Sequence, residues 1–192
     1  LHDEQRPHLV EARVWANADL TRAVTNGSEG RVAIWDVSLG TYREIASPTG
    51  ELLYVHACSA SLAHLVAETL DGDLEVWATN PPQMLGKLPG AVAIRFRNRF
   101  VAVSDSYLVL VSDRGEPRSE DCLVLSLDLI EQFEWQAERP TAVAWLDDNT
   151  IAWATRTRLT IRDPVTGEQL AQTQIRTADG QHGFSNRGSE FW

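Results

Sequence analysis

Five histidines and two cysteines are the residues of this 192-residue chain whose spacing would most readily betray chemistry. His2, His8, His56, His64 and His182 are scattered, and none forms the His-x-x-x-His or His-Glu-x-x-His pattern that puts two imidazoles on one helical face. His56 and His64 fall in adjacent apolar runs and read as structural histidines. Cys58 lies in a strand-like run and reads as a small apolar side chain. Cys122 follows Glu120 and Asp121, whose charges disfavour a thiolate. Asp71-Gly72-Asp73 and Asp147-Asp148-Asn149 gather acidic groups, but calcium takes about six to eight oxygen ligands, and both triplets have turn composition. Asn26-Gly27-Ser28 has the form of a glycosylation acceptor, yet it falls where a turn is expected. A phosphate-binding Gly-x-x-x-x-Gly-Lys-Ser/Thr loop and a Gly-x-Ser-x-Gly nucleophile elbow are both missing. The expectation is no catalytic residue, no metal site and no cofactor.

Charge gives the second constraint. Lys and Arg number 17 against 27 Asp and Glu, a net charge of −10, which disfavours general nucleic-acid binding and suits protein partners with basic patches. One basic island interrupts this background: Arg95, Arg97 and Arg99 alternate with Phe96, which on a strand places the arginines on one face. A loop carrying Arg114 and Arg118 follows. These five arginines are the candidate partner-binding residues. No apolar run approaches the roughly 20 residues of a membrane span. Two cysteines are too few for a disulfide framework, and Leu1–Pro7 carries no initiator Met and no basic-then-apolar leader. A cytoplasmic protein, cut from something longer, is the expectation.

The elements that must position these groups repeat. Arg31-Val32-Ala33-Ile34-Trp35-Asp36 is matched by Asp73-Leu74-Glu75-Val76-Trp77-Ala78, with the tryptophans 42 positions apart. Arg158-Leu159-Thr160-Ile161-Arg162-Asp163 gives a later copy with Arg162 in the tryptophan column, and Tyr107–Asp113, with Val111 in that column, is set between them. Upstream, Trp15 is set on Trp145. Downstream, Ser38-Leu39-Gly40 and Val165-Thr166-Gly167 both place glycine where a turn needs positive φ. Each unit holds three or four short runs rich in Val, Ile, Leu, Trp and Ala between Gly, Asp, Asn and Pro, which predicts antiparallel strands joined by tight turns. Asp128–Trp135 is read as an outer strand of the third unit after an inserted loop, with a helix whose face carries Leu129, Ile130 and Phe133 as the alternative.

A strand ending in an Asp/Asn turn, a second strand, and then apolar-x-apolar-Trp-Asp resembles a WD-repeat blade, complete as Trp35-Asp36. The last unit, Ile161 to Leu170, also resembles a quinoprotein-type propeller repeat. The resemblance implies an all-β fold: about four propeller blades of four-stranded antiparallel sheets, at 8–49, 50–89, 90–137 and 138–176, with a polar tail at 177–192, forming part of a larger propeller. A self-closed four-bladed ring is the alternative. Such sheets are apolar on both faces and must stack, so Trp15, Trp35, Trp77, Trp145 and Trp153 are expected in the wedges between blades. The resemblance implies a non-catalytic scaffold for protein–protein interaction; the alternative is a quinoprotein-like enzyme or ligand-binding propeller.

Overall fold

A computed structural model describes residues 13–27, 31–48, 54–90, 101–111, 120–130 and 132–175. Strands rich in β-branched and aromatic residues, each closed by a polar turn, form four separate meanders in chain order. Blade 1 consists of β1 (Arg13–Ala16), β2 (Arg22–Asn26), β3 (Val32–Asp36) and β4 (Thr41–Ile45). Blade 2 consists of β5 (Tyr54–Cys58), β6 (His64–Glu68), β7 (Leu74–Thr79) and β8 (Pro82–Leu88). Blade 3 is β9 (Val101–Val103), β10 (Tyr107–Val111), β11 (Glu120–Ser126) and β12 (Gln132–Ala137). Blade 4 is β13 (Ala142–Asp147), β14 (Thr150–Ala154), β15 (Arg158–Arg162) and β16 (Gln169–Gln174). The four sheets adopt a four-blade propeller arrangement.

Register explains how one blade packs on the next, because successive side chains of a strand point to opposite faces. On the face directed at the following blade, Val24 pairs Ile34, Val66 pairs Val76, Val109 pairs Val124 and Ala152 pairs Ile161. On the opposite, leading face, Ala23 pairs Trp35, Leu65 pairs Trp77, Leu108 pairs Leu125 and Ile151 pairs Arg162. The first row of blade 1 packs with Val55, Leu65, Ala67 and Trp77 of blade 2. Val66, Leu74 and Val76 pack with Leu108, Leu110, Leu123 and Leu125 of blade 3. Val109, Val111, Cys122 and Val124 pack with Ile151 and Trp153 of blade 4. Burying each such aliphatic side chain contributes about 1.5–3 kcal/mol. Among the described residues these three clusters form three seams, and no buried cluster joins blade 4 to blade 1.

Three expectations shift by a strand or a residue. Tyr107–Val111 is β10, the second strand of blade 3; the anchor strand is β11, and Leu125 rather than Val111 stands in the tryptophan column. Trp15 shares a row with Val24 and Ile34, whereas Trp145 shares one with Ile151 and Arg162, so the two face opposite ways and Trp145 corresponds to Ala16. Trp35 lies on the leading face of blade 1, half-buried against Tyr42 with ring centroids 4.7 Å apart, and not in a wedge between described blades. Trp15, Trp77, Trp145 and Trp153 do lie at seams. Gly40 and Gly167 take φ of 65° and 72° as the turn pattern requires, and Gln132–Ala137 is the outer strand of blade 3.

Candidate functional site

In a meander the first-to-second and third-to-fourth strand turns fall at the same end of the sheet. Hydrogen bonds between blades show that these ends line up. Arg22 at the start of β2 donates from Nη2 to Thr79 Oγ1 of blade 2, 2.9 Å. Ser61 Oγ of blade 2 donates to Asp105 Oδ1 of blade 3, 2.6 Å. Asp105 N and Ser106 Oγ donate to the two carboxylate oxygens of Asp148 in blade 4, at 3.1 and 3.0 Å. The turns of all four blades therefore share one end of the molecule.

That end is acidic. Asp19 and Asp36 come from blade 1, Asp105 and Asp128 from blade 3, and Asp147, Asp148 and Asp163 from blade 4. The aspartates are there because their carboxylates accept turn N–H and hydroxyl groups. Asp36 accepts from Ser38 Oγ at 2.6 Å and Leu39 N at 2.9 Å; Asp163 accepts from Val165 N and Thr166 N at 2.8 Å each. Bonds to the charged form lower a carboxyl pKa. The Thr21 hydroxyl holds Asp19 below the usual aspartate value, and the Ser38 and Ser126 hydroxyls do so for Asp36 and Asp128. Backbone N–H groups of Asn149 and Thr166 act likewise on Asp147 and Asp163. Partial burial pushes Asp105 up, but the Ser61 and Ser59 hydroxyls and the charge of His64 outweigh it and the net direction is down. Arg22 and Arg162 reach this end already engaged: the first with Thr79, the second with its guanidinium 5.7 Å from the Trp135 ring centroid and Nη1 donating to Gly167 O at 2.7 Å. The face thus holds a durable negative charge.

The five arginines expected to bind partners, Arg95, Arg97, Arg99, Arg114 and Arg118, lie outside the described residues. His56 and His64 occupy β5 and β6; His56 Nε2 sits 2.7 Å from Glu68 Oε2, and His64 Nδ1 3.6 Å from Asp105 Oδ1 across the seam of blades 2 and 3. Burial pushes both thiols well above the ordinary cysteine range. For Cys122 the cause is burial between blades 3 and 4 rather than the preceding acidic residues, with the charge of Arg162 acting weakly the other way. Asp71-Gly72-Asp73 is a turn at the opposite end, where Gly72 has φ of 82° and Asp73 pairs with Lys87 at 2.6 Å. Asn26 is buried at the first seam and accepts from Val55 N of blade 2 at 3.1 Å. Among the described residues no three His, Cys, Asp or Glu side chains gather as a metal site, and no helix is long and apolar enough to cross a membrane.

No protein-family model matches the chain, and no curated protein matches it. Solved structures do. The β-propeller domain of Cps50 (Swd1) from Myceliophteria thermophila superposes with a TM-score of 0.55 at 12% identity, over 85% of this chain and 55% of that one. BamB from Moraxella catarrhalis superposes with a TM-score of 0.55 at 13% identity, over 89% of this chain and 51% of that one. The chain spans just over half the length of either structure. One neighbour is a WD40 propeller and the other a quinoprotein-like propeller, the two kinds of repeat that the sequence resembles. Four blades in chain order, with matching residue rows and these neighbours, establish a β-propeller fold.

Proposed function

We propose that this chain is a non-catalytic propeller scaffold that docks protein partners carrying basic segments on its acidic end. The observation that carries the reading is the set of seven aspartates which the meander brings to one end from three blades, six of them held ionised by turn hydrogen bonds. Charge of one sign on a rigid face steers and selects partners of the opposite sign. Turns on a strand scaffold are also where binding residues most readily reside. The WD40 neighbour supports the fold on which such scaffolds are built.

The test uses a Lys/Arg-rich peptide against a sequence-scrambled peptide of equal length with Glu in place of the cations. Binding of the basic peptide that weakens with salt, and at least tenfold with Asp19, Asp128 and Asp163 all changed to Asn, supports the proposal. Asparagine keeps the Oδ1 acceptor of each turn, so the variant tests charge rather than folding. Equal binding of both peptides, or none, overturns it.

A further inference from the structure

One position of the second strand reaches across a seam in each of the first three blades. Arg22, His64 and Tyr107 stand there, one residue before Ala23, Leu65 and Leu108, which pair with the tryptophan column. Each addresses the following blade. Arg22 Nη2 donates to Thr79 Oγ1 at 2.9 Å. The Tyr107 ring lies over Trp145, with centroids 6.2 Å apart and planes 18° apart. His64 faces Asp105 of blade 3, Nδ1 3.6 Å from Oδ1, with its side chain 18% exposed. A permanent cation and a neutral ring thus hold the first and third seams, and a side chain that takes up and gives up a proton stands at the second.

His64 Nδ1 is buried and makes no hydrogen bond among the described residues. The groups around it are committed. His64 N donates to Ser59 Oγ at 3.2 Å, the Ser59 and Ser61 hydroxyls lie 3.2 Å apart, and Ser61 Oγ donates to Asp105 Oδ1 at 2.6 Å. With the His64 amide on Ser59, both hydroxyl protons are left to run toward the carboxylate, which they hold ionised. Asp105 N in turn donates to Asp148 Oδ1 at 3.1 Å, which carries the circuit into blade 4. A neutral imidazole that presents the Nδ1 lone pair sets it against a carboxylate oxygen, whereas the cation presents an N–H and a charge there. Other ionisable groups of the surrounding elements are placed elsewhere. Glu75 of β7 lies on the other face of the sheet, and Tyr54 and His56 of β5 gather with Glu68 at the far end of β6. Burial keeps the Cys58 thiol of β5 neutral, and Asp128 is bonded within its own turn.

We infer that His64 is a proton-operated clasp between blades 2 and 3: protonated it closes on Asp105, and deprotonated it leaves that contact to Ser61. The seam therefore firms as pH falls through the histidine range and loosens as pH rises, while Asp105 stays ionised. Stability gained this way is present on the acid side and lost on the alkaline side, opposite in sense to the contribution of the turn aspartates. The inference rests on the seam and not on the docking of basic segments, and no peptide enters its test.

Thermal midpoints of the parent, His64→Gln, Asp105→Asn and the double variant test it, at about pH 5.5 and about pH 8. Asparagine keeps the Oδ1 acceptor for Ser61, and the His56–Glu68 pair is common to all four proteins and cancels. At the lower pH the expected result is a midpoint about 2–4 °C lower for either single variant, with no further loss in the double variant. At the higher pH that coupling falls below about 1 °C. His64→Lys gives blade 2 the permanent cation that blade 1 has in Arg22, and it is expected to keep its coupling to Asp105 at both pH values. Coupling of His64 to Asp105 that is equal at the two pH values, or absent at both, overturns the inference. So does a His64→Lys protein whose coupling vanishes at the higher pH.

Discussion

Trp77 donates its indole N–H to Glu75, Nε1 to Oε2 at 3.0 Å, with both side chains sealed in the seam between the first two blades. The Ser47 hydroxyl of the blade 1–blade 2 connection donates to the other carboxylate oxygen at 3.3 Å. A buried carboxylate persists here because it satisfies two donors that would otherwise be stranded. Glu75→Ala leaves an orphaned indole N–H and lowers stability by about 1–3 kcal/mol. Glu75→Gln keeps an acceptor and costs less. Urea unfolding of the two variants checks the order.

Trp77 and Trp35 occupy the same row of successive blades but have different surroundings. Trp77→Ala costs about 3–5 kcal/mol as a core truncation. Trp35→Ala costs less than half of that, because no described blade packs on the face of the sheet that carries its ring. Equal losses would place Trp35 in a covered seam.

Gly40 and Gly167 both hold positive φ, at 65° and 72°. A Cβ on Gly40 would meet nothing within 4 Å, whereas one on Gly167 would come within 2.6 Å of the Trp135 indole, whose Nε1 donates to Pro164 O at 2.9 Å. Gly40→Ala therefore carries only the backbone strain, about 1 kcal/mol. Gly167→Ala adds displacement of Trp135 from the seam of blades 3 and 4, and the thermal midpoint falls further. Identical shifts for the two would mean that the β15–β16 turn does not rest on blade 3.

The turn aspartates make stability depend on pH in one direction. Their folded pKa values lie below the ordinary aspartate value of about 3.9. Their contribution is therefore present above that value and is lost as pH falls through the lower folded values. The thermal midpoint is expected to vary little through these groups from pH 5 to 8 and to drop below about pH 4. Asp163→Asn flattens that acid limb. A limb unchanged by the substitution would remove Asp163 from the linkage.

Cys122 is expected to resist a thiol reagent at pH 8 in the native chain and to react at once in denaturant, because burial raises its pKa and limits access, whereas Cys58, half-buried at the first seam, is labelled before it. Native-state labelling of Cys122 within minutes would contradict its burial between blades 3 and 4.

The parts of this architecture that were legible in the sequence are those fixed by local chemistry. Gly40 and Gly167 announce their turns, and Trp35-Asp36 and Trp77 mark third strands, because each residue type meets a demand of its own strand or turn. Blade 3 was harder to read because β10 and β11 each carry a Leu-Val-Leu run and neither holds a tryptophan, so Val111 and Leu125 are interchangeable by composition. The one-residue slip that sets Trp15 on Trp145 has a physical cause: β13 carries a register shift between Trp145 and Asp147, and a single residue reverses which face a side chain occupies. The acidic end was invisible because each aspartate reads as an ordinary turn residue; only the meander places alternate turns on the same side. Trp35 misled for the converse reason, since a residue row shows which face is apolar but not whether another blade covers it.

The claim beneath all of this is that sixteen strands pair as four consecutive meanders. Amide hydrogen exchange read strand by strand tests it most directly. The account predicts the slowest exchange in β6, β7, β10 and β11, which are flanked by strands on both sides within interior blades, and the fastest among strands in β16, which has a partner on one side only. Protection in β16 equal to that of β7, or rapid exchange throughout β10 and β11, would contradict the order of the sheets.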